Sequence, residues 1–187
     1  MGYHTFDVGR ADALEDDDRF RFCSAEELRS ALALTGTETV ADLGSGTGFY
    51  TDTVADRVDH CYAVDVQSAM HDHYREKGLP ETVEPVTAEV ADLPFPDDTL
   101  DAAFSTMTFH EFASEAALAE LARVVAPGGR VVTVDWSRHG AGEAGPPRDE
   151  RFGAGEAATF QSDAGLRLRT ATERDETFLT VADGGPA

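Results

Sequence analysis

The apolar positions of this chain fall into short runs whose period keeps changing. After an irregular first stretch, Ser24-Ala25-Glu26-Glu27 has the form of a capping box: Ser24 accepts from the backbone N–H three residues on, and Glu27 reaches back. Leu28, Ala31 and Leu32 then mark the inner face of a helix that ends by Gly36. From there strand and helix signals alternate. Val40 to Leu43 predicts a short strand, Phe49 to Val58 a helix, His60 to Val66 a second strand, and Ala69 to Lys77 a helix stopped by Gly78 and Pro80. Val83 to Val86 predicts a third strand, and Leu100 to Ser105 a fourth after the turn cluster Pro94 to Asp98.

The clearest helix follows, with Ser114 as N-cap, Leu118, Leu121, Ala122 and Val125 on one stripe, and Pro127-Gly128-Gly129 as its expected end. Val131 to Asp135 predicts a fifth strand and Gly155 to Ala164 a weaker helix. Leu166 to Thr170 and Thr177 to Val181 alternate and lie close enough to pair as a hairpin. The sum is an α/β chain, one domain, with a Rossmann-like, doubly wound and mostly parallel sheet covered on both faces. Such sheets bind ligands at the carboxyl ends of their strands, where the strand order reverses. Within the domain, residues 1–36 read as a helical flap, 37–136 as a binding core, and 137–187 as a closing helix and hairpin.

Charge changes the picture of the surface. The 187 residues carry 36 Asp and Glu against 15 Lys and Arg, a net charge of -21, and Lys77 is the single lysine. Disorder is excluded by the 41% of hydrophobic residues, enough to form a core. Apart from Glu15-Asp16-Asp17-Asp18 the acids are spread along the chain, so the acidity belongs to the whole surface. It fits a salt-rich cytoplasm, where screening offsets self-repulsion, and it argues against nucleic acid and anionic membranes as partners. No apolar run reaches 18 residues, and the first residues are neither basic nor apolar, so we expect neither a membrane span nor a secretion signal. Cys23 and Cys61 read as reduced thiols, Cys61 buried in the second strand.

The first strand runs straight into Asp42-Leu43-Gly44-Ser45-Gly46-Thr47-Gly48 and a helix. Alternate glycines permit a tight turn and a close backbone approach to a bound molecule. Asp65 ends the second strand, where a carboxylate can grip ribose hydroxyls. The dinucleotide fingerprint would place a third glycine three positions after Gly46, and that position is Phe49. A nucleotide-dependent reductase would also want Tyr and Lys four apart, whereas Tyr74 and Lys77 are three apart.

The segments VADLGSGTGFYT, YAVDV, ADLPFPDDTLDAAFS and LARVVAPGGRVVTVDW together resemble class I S-adenosylmethionine-dependent methyltransferases, in the small-molecule branch that includes quinone-biosynthesis C-methyltransferases. The resemblance runs from about Thr39 to Asp135. It implies a seven-stranded sheet with a reversed last strand, S-adenosylmethionine as cofactor, S-adenosylhomocysteine as product, and a small-molecule methyl acceptor. It also implies roles. Gly44, Ser45 and Gly46 would approach the methionine part of the cofactor and Asp42 would align its amino group. Asp65 would hold the ribose with Val66 on the adenine, while Glu89, in place of the family's usual Asp, and Val90 would meet the adenine edge. Ser105 and Thr106 would lie under the sulfonium.

His110, just after the fourth strand, is the candidate general base. His71-Asp72-His73 sits at helical spacing that splits the two rings, so both read as surface histidines and no metal site is expected. Trp136 could line the acceptor pocket or pack on a helix; Tyr3, His4 and Phe6 could belong to the flap; Arg138 and His139 could reach the pocket. The alternatives to a methyltransferase are a non-catalytic S-adenosylmethionine-binding module and an NAD(P)-binding reductase.

Overall fold

Strand β1 (Thr39–Leu43) is apolar or buried at four successive positions because both of its faces are covered. In the computed structural model, which describes residues 6–185, it is an interior strand, third in a seven-stranded sheet. The other strands are β2 (His60–Asp65), β3 (Val83–Thr87), β4 (Leu100–Thr106), β5 (Val125–Trp136), β6 (Arg167–Glu173) and β7 (Thr177–Asp183). Their order is β3-β2-β1-β4-β5-β7-β6. β1 to β5 pair in parallel, and β7 runs antiparallel to both β5 and β6. The expected hairpin is therefore present, with its second strand inserted beside β5. Strand order reverses between β1 and β4, and the crevice at their carboxyl ends is where a doubly wound sheet takes its ligand.

The helices are α1 (Ala25–Leu32), α2 (Thr51–Ala55), α3 (Ser68–Gly78), α4 (Phe109–Phe112), α5 (Glu115–Val124) and α6 (Ala154–Asp163). Leu28, Val54 and Tyr74 from α1, α2 and α3 close over one face of the sheet with Val40, Phe104 and Val132. Phe109, Leu118, Leu121 and Ala157 cover the other with Leu43, Ala103 and Phe178. Each fully buried Leu or Phe contributes about 1.5–3 kcal/mol of transfer free energy. Ser24 and Ser114 cap α1 and α5, accepting from the N–H groups of Glu27 and Ala117.

Four local expectations are corrected. The helix after the glycine loop is five residues long instead of ten, because the loop itself occupies the chain as far as Tyr50. α5 stops at Val124, and Pro127-Gly128-Gly129 is not its end but a bulge inside β5. Gly128 takes φ +80°, and Gly129 is packed so closely on the Asp101 and Ala126 carbonyls that a Cβ would lie 2.9 Å from each. The first stretch is not irregular: Val8–Glu15 and Asp17–Arg21 form 3-10 helices, started by Asp7 and Asp16, whose carboxylates accept from Gly9 and Asp18. Finally, His71 is no surface residue. It is buried against Thr87, whose hydroxyl lies 3.3 Å from Nδ1, and burial holds its pKa below the usual imidazole value. Cys23 and Cys61 are both buried and free.

Candidate active site

The carboxyl ends of β1, β2 and β4 form the floor of a cavity of about 640 Å³, within the usual range for small-molecule sites. Gly44, Ser45 and Gly46 line it from the first loop, Asp65 and Val66 from the end of β2, Glu89 and Val90 from the stretch after β3, and Thr106 from the end of β4. Eight of the residues singled out in the sequence thus meet on one surface, and His110 joins them from α4.

The loop geometry explains the glycines differently from the sequence expectation. Gly44 and Gly48 have φ of +78° and +81°, which L side chains rarely adopt. The space that a Cβ would need is occupied by the protein: Thr108 Oγ1 would stand 2.6 Å from one at Gly44, and the Tyr74 ring 2.2 Å from one at Gly48. The Gly46 N–H donates to Asp65 Oδ2 at 2.8 Å and the Gln67 N–H to Asp65 Oδ1 at 2.8 Å, so one carboxylate ties the two loops together. Val66 is left 52% exposed at the cavity, which suits a planar apolar ligand part.

Asp42 and Ser105 do not reach the lining. Asp42 is buried beneath the loop, where Oδ2 accepts from Thr51 Oγ1 at 2.7 Å, and burial raises its pKa to about 7. Ser105 is buried one residue short of the cavity. Side-chain oxygens of these two and of Ser45 lack a partner within the described protein: Asp42 Oδ1, Ser45 Oγ and Ser105 Oγ. After Thr106 the chain turns through Met107, a non-glycine residue at φ +62°, a costly conformation typical of ligand sites. Thr108 Oγ1 donates to the Leu43 carbonyl at 3.0 Å, which locks this turn onto the end of β1.

The roof comes from parts of the chain that no periodicity announced. The 3-10 segments contribute Arg10, Ala13, Leu14 and Arg19, with Phe6 just before them and Phe22 just after. Arg19 is half-buried, its guanidinium 4.9 Å from the centre of the Phe49 ring and 5.1 Å from that of Tyr50, and Nη1 donates to the Leu14 carbonyl at 2.6 Å. It makes no ion pair with a carboxylate among the described residues, and burial lowers its pKa without discharging it. This segment is pinned to the core through Glu15, which accepts from Thr47 Oγ1 and pairs with Lys77 at 3.1 Å; Lys77 also pairs with Asp52 at 2.9 Å. Tyr3 and His4 lie outside the described residues.

On the other side of the cavity, Trp136 does line the pocket, edge to face with Phe22 at 4.7 Å. The 144–146 stretch lies over its ring, and Gly145 at φ +83° leaves no room for a side chain there. Arg151, 2% exposed, holds that stretch down by donating to the carbonyls of Pro146 at 2.8 Å, Ser137 at 3.3 Å and Ala144. Arg138 and His139 do not line the cavity; Arg138 pairs with Glu156 at 2.7 Å instead.

His110 is the most organised polar group of the cavity. Its Nδ1 lies 3.0 Å from both oxygens of Asp135, a fully buried carboxylate that also accepts from the His110 backbone N–H at 2.6 Å. Burial opposes charging the ring, but the bond to Asp135 and the charges of Asp135, Glu111 and Glu150 outweigh it, so the pKa is raised. The neighbouring Glu111 is pushed up to about 7 by burial. Tyr74 and Lys77, the pair that a reductase reading would need, are engaged elsewhere: Tyr74 is buried with its hydroxyl donating to Asp52 at 2.6 Å. Among the described residues no group of three or more His, Cys, Asp or Glu is placed to hold a metal ion, and no helix is long and apolar enough to cross a membrane.

Residues 41–133 match the family described as Methyltransferase domain. A crystal structure of an S-adenosylmethionine-dependent methyltransferase from Aquifex aeolicus superposes with TM-score 0.85 at 30% identity, covering 96% of this chain and 99% of that one. A demethylmenaquinone methyltransferase from Corynebacterium urealyticum is 32% identical over 113 residues, 60% of this chain and 47% of that protein. The biotin biosynthesis bifunctional protein BioHC from Cellvibrio japonicus is 38% identical over 90 residues, 48% of this chain and 18% of its own length. The matched part is thus under half the length of these two curated relatives.

Proposed function

Because the chain belongs to the family of S-adenosylmethionine-dependent methyltransferases, we propose that it transfers a methyl group to a small acceptor held between its sheet and its N-terminal cover. The observation that carries this reading is the meeting of Gly44, Ser45, Gly46, Asp65, Val66, Glu89 and Val90 on one cavity floor at the reversal of strand order.

The residues present fit the cofactor. Asp65 offers carboxylate oxygens toward ribose hydroxyls, Val66 an exposed apolar face for the adenine, and Glu89 an acceptor for its amino group. The unpartnered Ser45 Oγ and the unpaired cation of Arg19 suit the charged methionine end, Arg19 being the natural partner of its carboxylate. Asp42 acts from below, by holding Thr51 and the loop. When bound, the cofactor supplies an activated methyl on a sulfonium, which leaves as a neutral thioether when the acceptor's electron pair takes the methyl carbon.

The chain's own contribution is positioning and exclusion of water. An acceptor held in line against the Thr106–Thr108 turn gains up to ~7–11 kcal/mol from orientation. Phe22, Phe112, Trp136 and Pro146 give it an apolar enclosure suited to a small, largely apolar metabolite. Where the acceptor has a proton to lose, His110 receives it. The surface, at net charge -21 with one lysine, suits a salt-rich cytoplasm. Calorimetric titration with S-adenosylhomocysteine in molar KCl tests the site: saturable binding that Asp65→Ala abolishes is expected, and folded protein that binds nothing refutes it. Transfer of labelled methyl from S-adenosylmethionine to an acceptor panel then separates an enzyme from a binding module.

A further inference from the structure

His110 Nε2 and Glu111 Oε1 are 3.9 Å apart. That is too far for a hydrogen bond between them, but a single oxygen atom about 2.8 Å from each would bridge them. Both side chains line the cavity, as do the flat apolar rings of Phe112 and Trp136. The opposite side of the imidazole is not free to move, since Asp135 holds Nδ1 at 3.0 Å from each oxygen and holds the backbone N–H of the same residue at 2.6 Å. Asp135 thereby fixes the hydrogen on Nδ1 and leaves the lone pair on Nε2, the nitrogen near Glu111.

We propose that His110 and Glu111 form a two-point grip for a weakly acidic hydroxyl of the methyl acceptor, a phenol or enol, with Asp135 as the positioning residue behind the base. This deepens the methyltransferase reading and rests on it. The proton balance is simple. The acceptor O–H bond breaks, its electron pair stays on the acceptor, and the proton bonds to Nε2, whose new positive charge faces the carboxylate of Asp135. Glu111 serves in its protonated form, donating to the oxygen while negative charge develops there. Its burial favours that form, pushing its pKa to about 7, and the groups facing the pair are Asp135 from β5, Glu150 from the 3-10 turn Arg148–Glu150, and Asp65 from β2. A carboxylic acid beside an imidazole suits a hydroxyl better than an ammonium, which would call for charged carboxylates.

The test uses the full chain saturated with S-adenosylhomocysteine and 4-nitrophenol, whose ionised form absorbs at longer wavelength than its neutral form. Wild type is expected to bind it and to shift its ionisation midpoint to lower pH. Asp135→Asn should return that midpoint toward the free value, because the ring loses its fixed tautomer. Glu111→Ala should weaken binding about 10-fold, and Glu111→Gln, which still donates, should restore most of it. 4-Nitroanisole, without the hydroxyl, should bind at least 10-fold more weakly. Long-range proton–nitrogen correlation spectra of the His110 ring, recorded without any ligand, should show Nδ1–H in wild type and a mixture of tautomers in Asp135→Asn. Failure of wild type to bind S-adenosylhomocysteine strikes the underlying methyltransferase reading. Intact binding of it with equal 4-nitrophenol affinity in all variants, no nitrophenol binding at all, or an Nδ1 that is unprotonated in neutral wild-type His110 overturns the grip.

Discussion

The floor and the roof of the cavity are built on opposite principles. The floor is backbone and short side chains at the ends of three parallel strands, where glycine loops are locked by Thr108, Tyr74 and Asp65. The roof is long side chains on 3-10 turns and a glycine-rich loop, held by a few charged contacts: Glu15 with Lys77 and Thr47, and Arg151 with three carbonyls. A floor of this kind is rigid because the sheet must break to deform it. A roof of this kind can differ between relatives without disturbing the sheet, which fits a shared cofactor and divergent acceptors.

The strongest way to break the contrast is Gly44→Ala in the floor. The positive φ and the 2.6 Å approach to Thr108 together predict a loss of about 2–5 kcal/mol of stability in chemical denaturation, with S-adenosylhomocysteine affinity falling in parallel. In the roof, Arg151→Met removes the donors for Ala144, Pro146 and Ser137 and should cost about 2–4 kcal/mol. Its calorimetric affinity for S-adenosylhomocysteine should nevertheless stay within about two-fold of wild type. If that affinity collapses too, floor and roof are one unit. Arg19→Ala sharpens the boundary, since it sits in the roof but lines the same cavity as the floor: about 10-fold weaker cofactor-product binding is expected, with a loss of stability from the missing Phe49, Tyr50 and Leu14 contacts that is smaller than that of Arg151→Met.

Next in size is a pH effect. Asp42 and Glu111 have folded pKa values of about 7 against 3.8 and 4.5 ordinarily, and His110 is raised as well. All three bind protons more tightly when folded, so the stability they contribute is full at low pH and is lost as pH rises toward and through their raised values. Wild-type Tm should therefore decline between about pH 5 and 8, and Asp42→Asn should flatten the floor's share of that slope; a Tm that rises over this interval contradicts the assignment. The smallest effect belongs to Lys77→Met, about 0.2–1 kcal/mol, larger on dilution from molar to ~0.1 M salt, where the same dilution should lower wild-type Tm.

Legibility in the sequence followed the same division. The floor was readable because buried parallel strands announce themselves as apolar runs and because Gly44, Gly46 and Asp65 stand at fixed offsets from them. Even there, Asp42 and Ser105 looked like lining residues, since a strand end does not say which side chain turns inward. The roof was readable only in outline, as a flap over residues 1–36 that takes in Phe6, with Trp136 as one candidate for the lining. Val8–Glu15 and Asp17–Arg21 have no sustained apolar period, so Arg19 passed as one more charged residue. Asp135 looked like the ordinary end of a strand, because its meaning lies in a histidine 25 positions away. Pro127-Gly128-Gly129 misled because the same residues that stop a helix also make a bulge.

With 15 Lys and Arg of which Lys77 is the single lysine, the chain has one side-chain amine, and it lies where the cover meets the core. Amine-directed reagents therefore have one side chain to find, and its rate of acylation measures how often the Glu15 contact opens. Followed by mass spectrometry with and without ligand, that one atom turns the protein into its own reporter of cover movement.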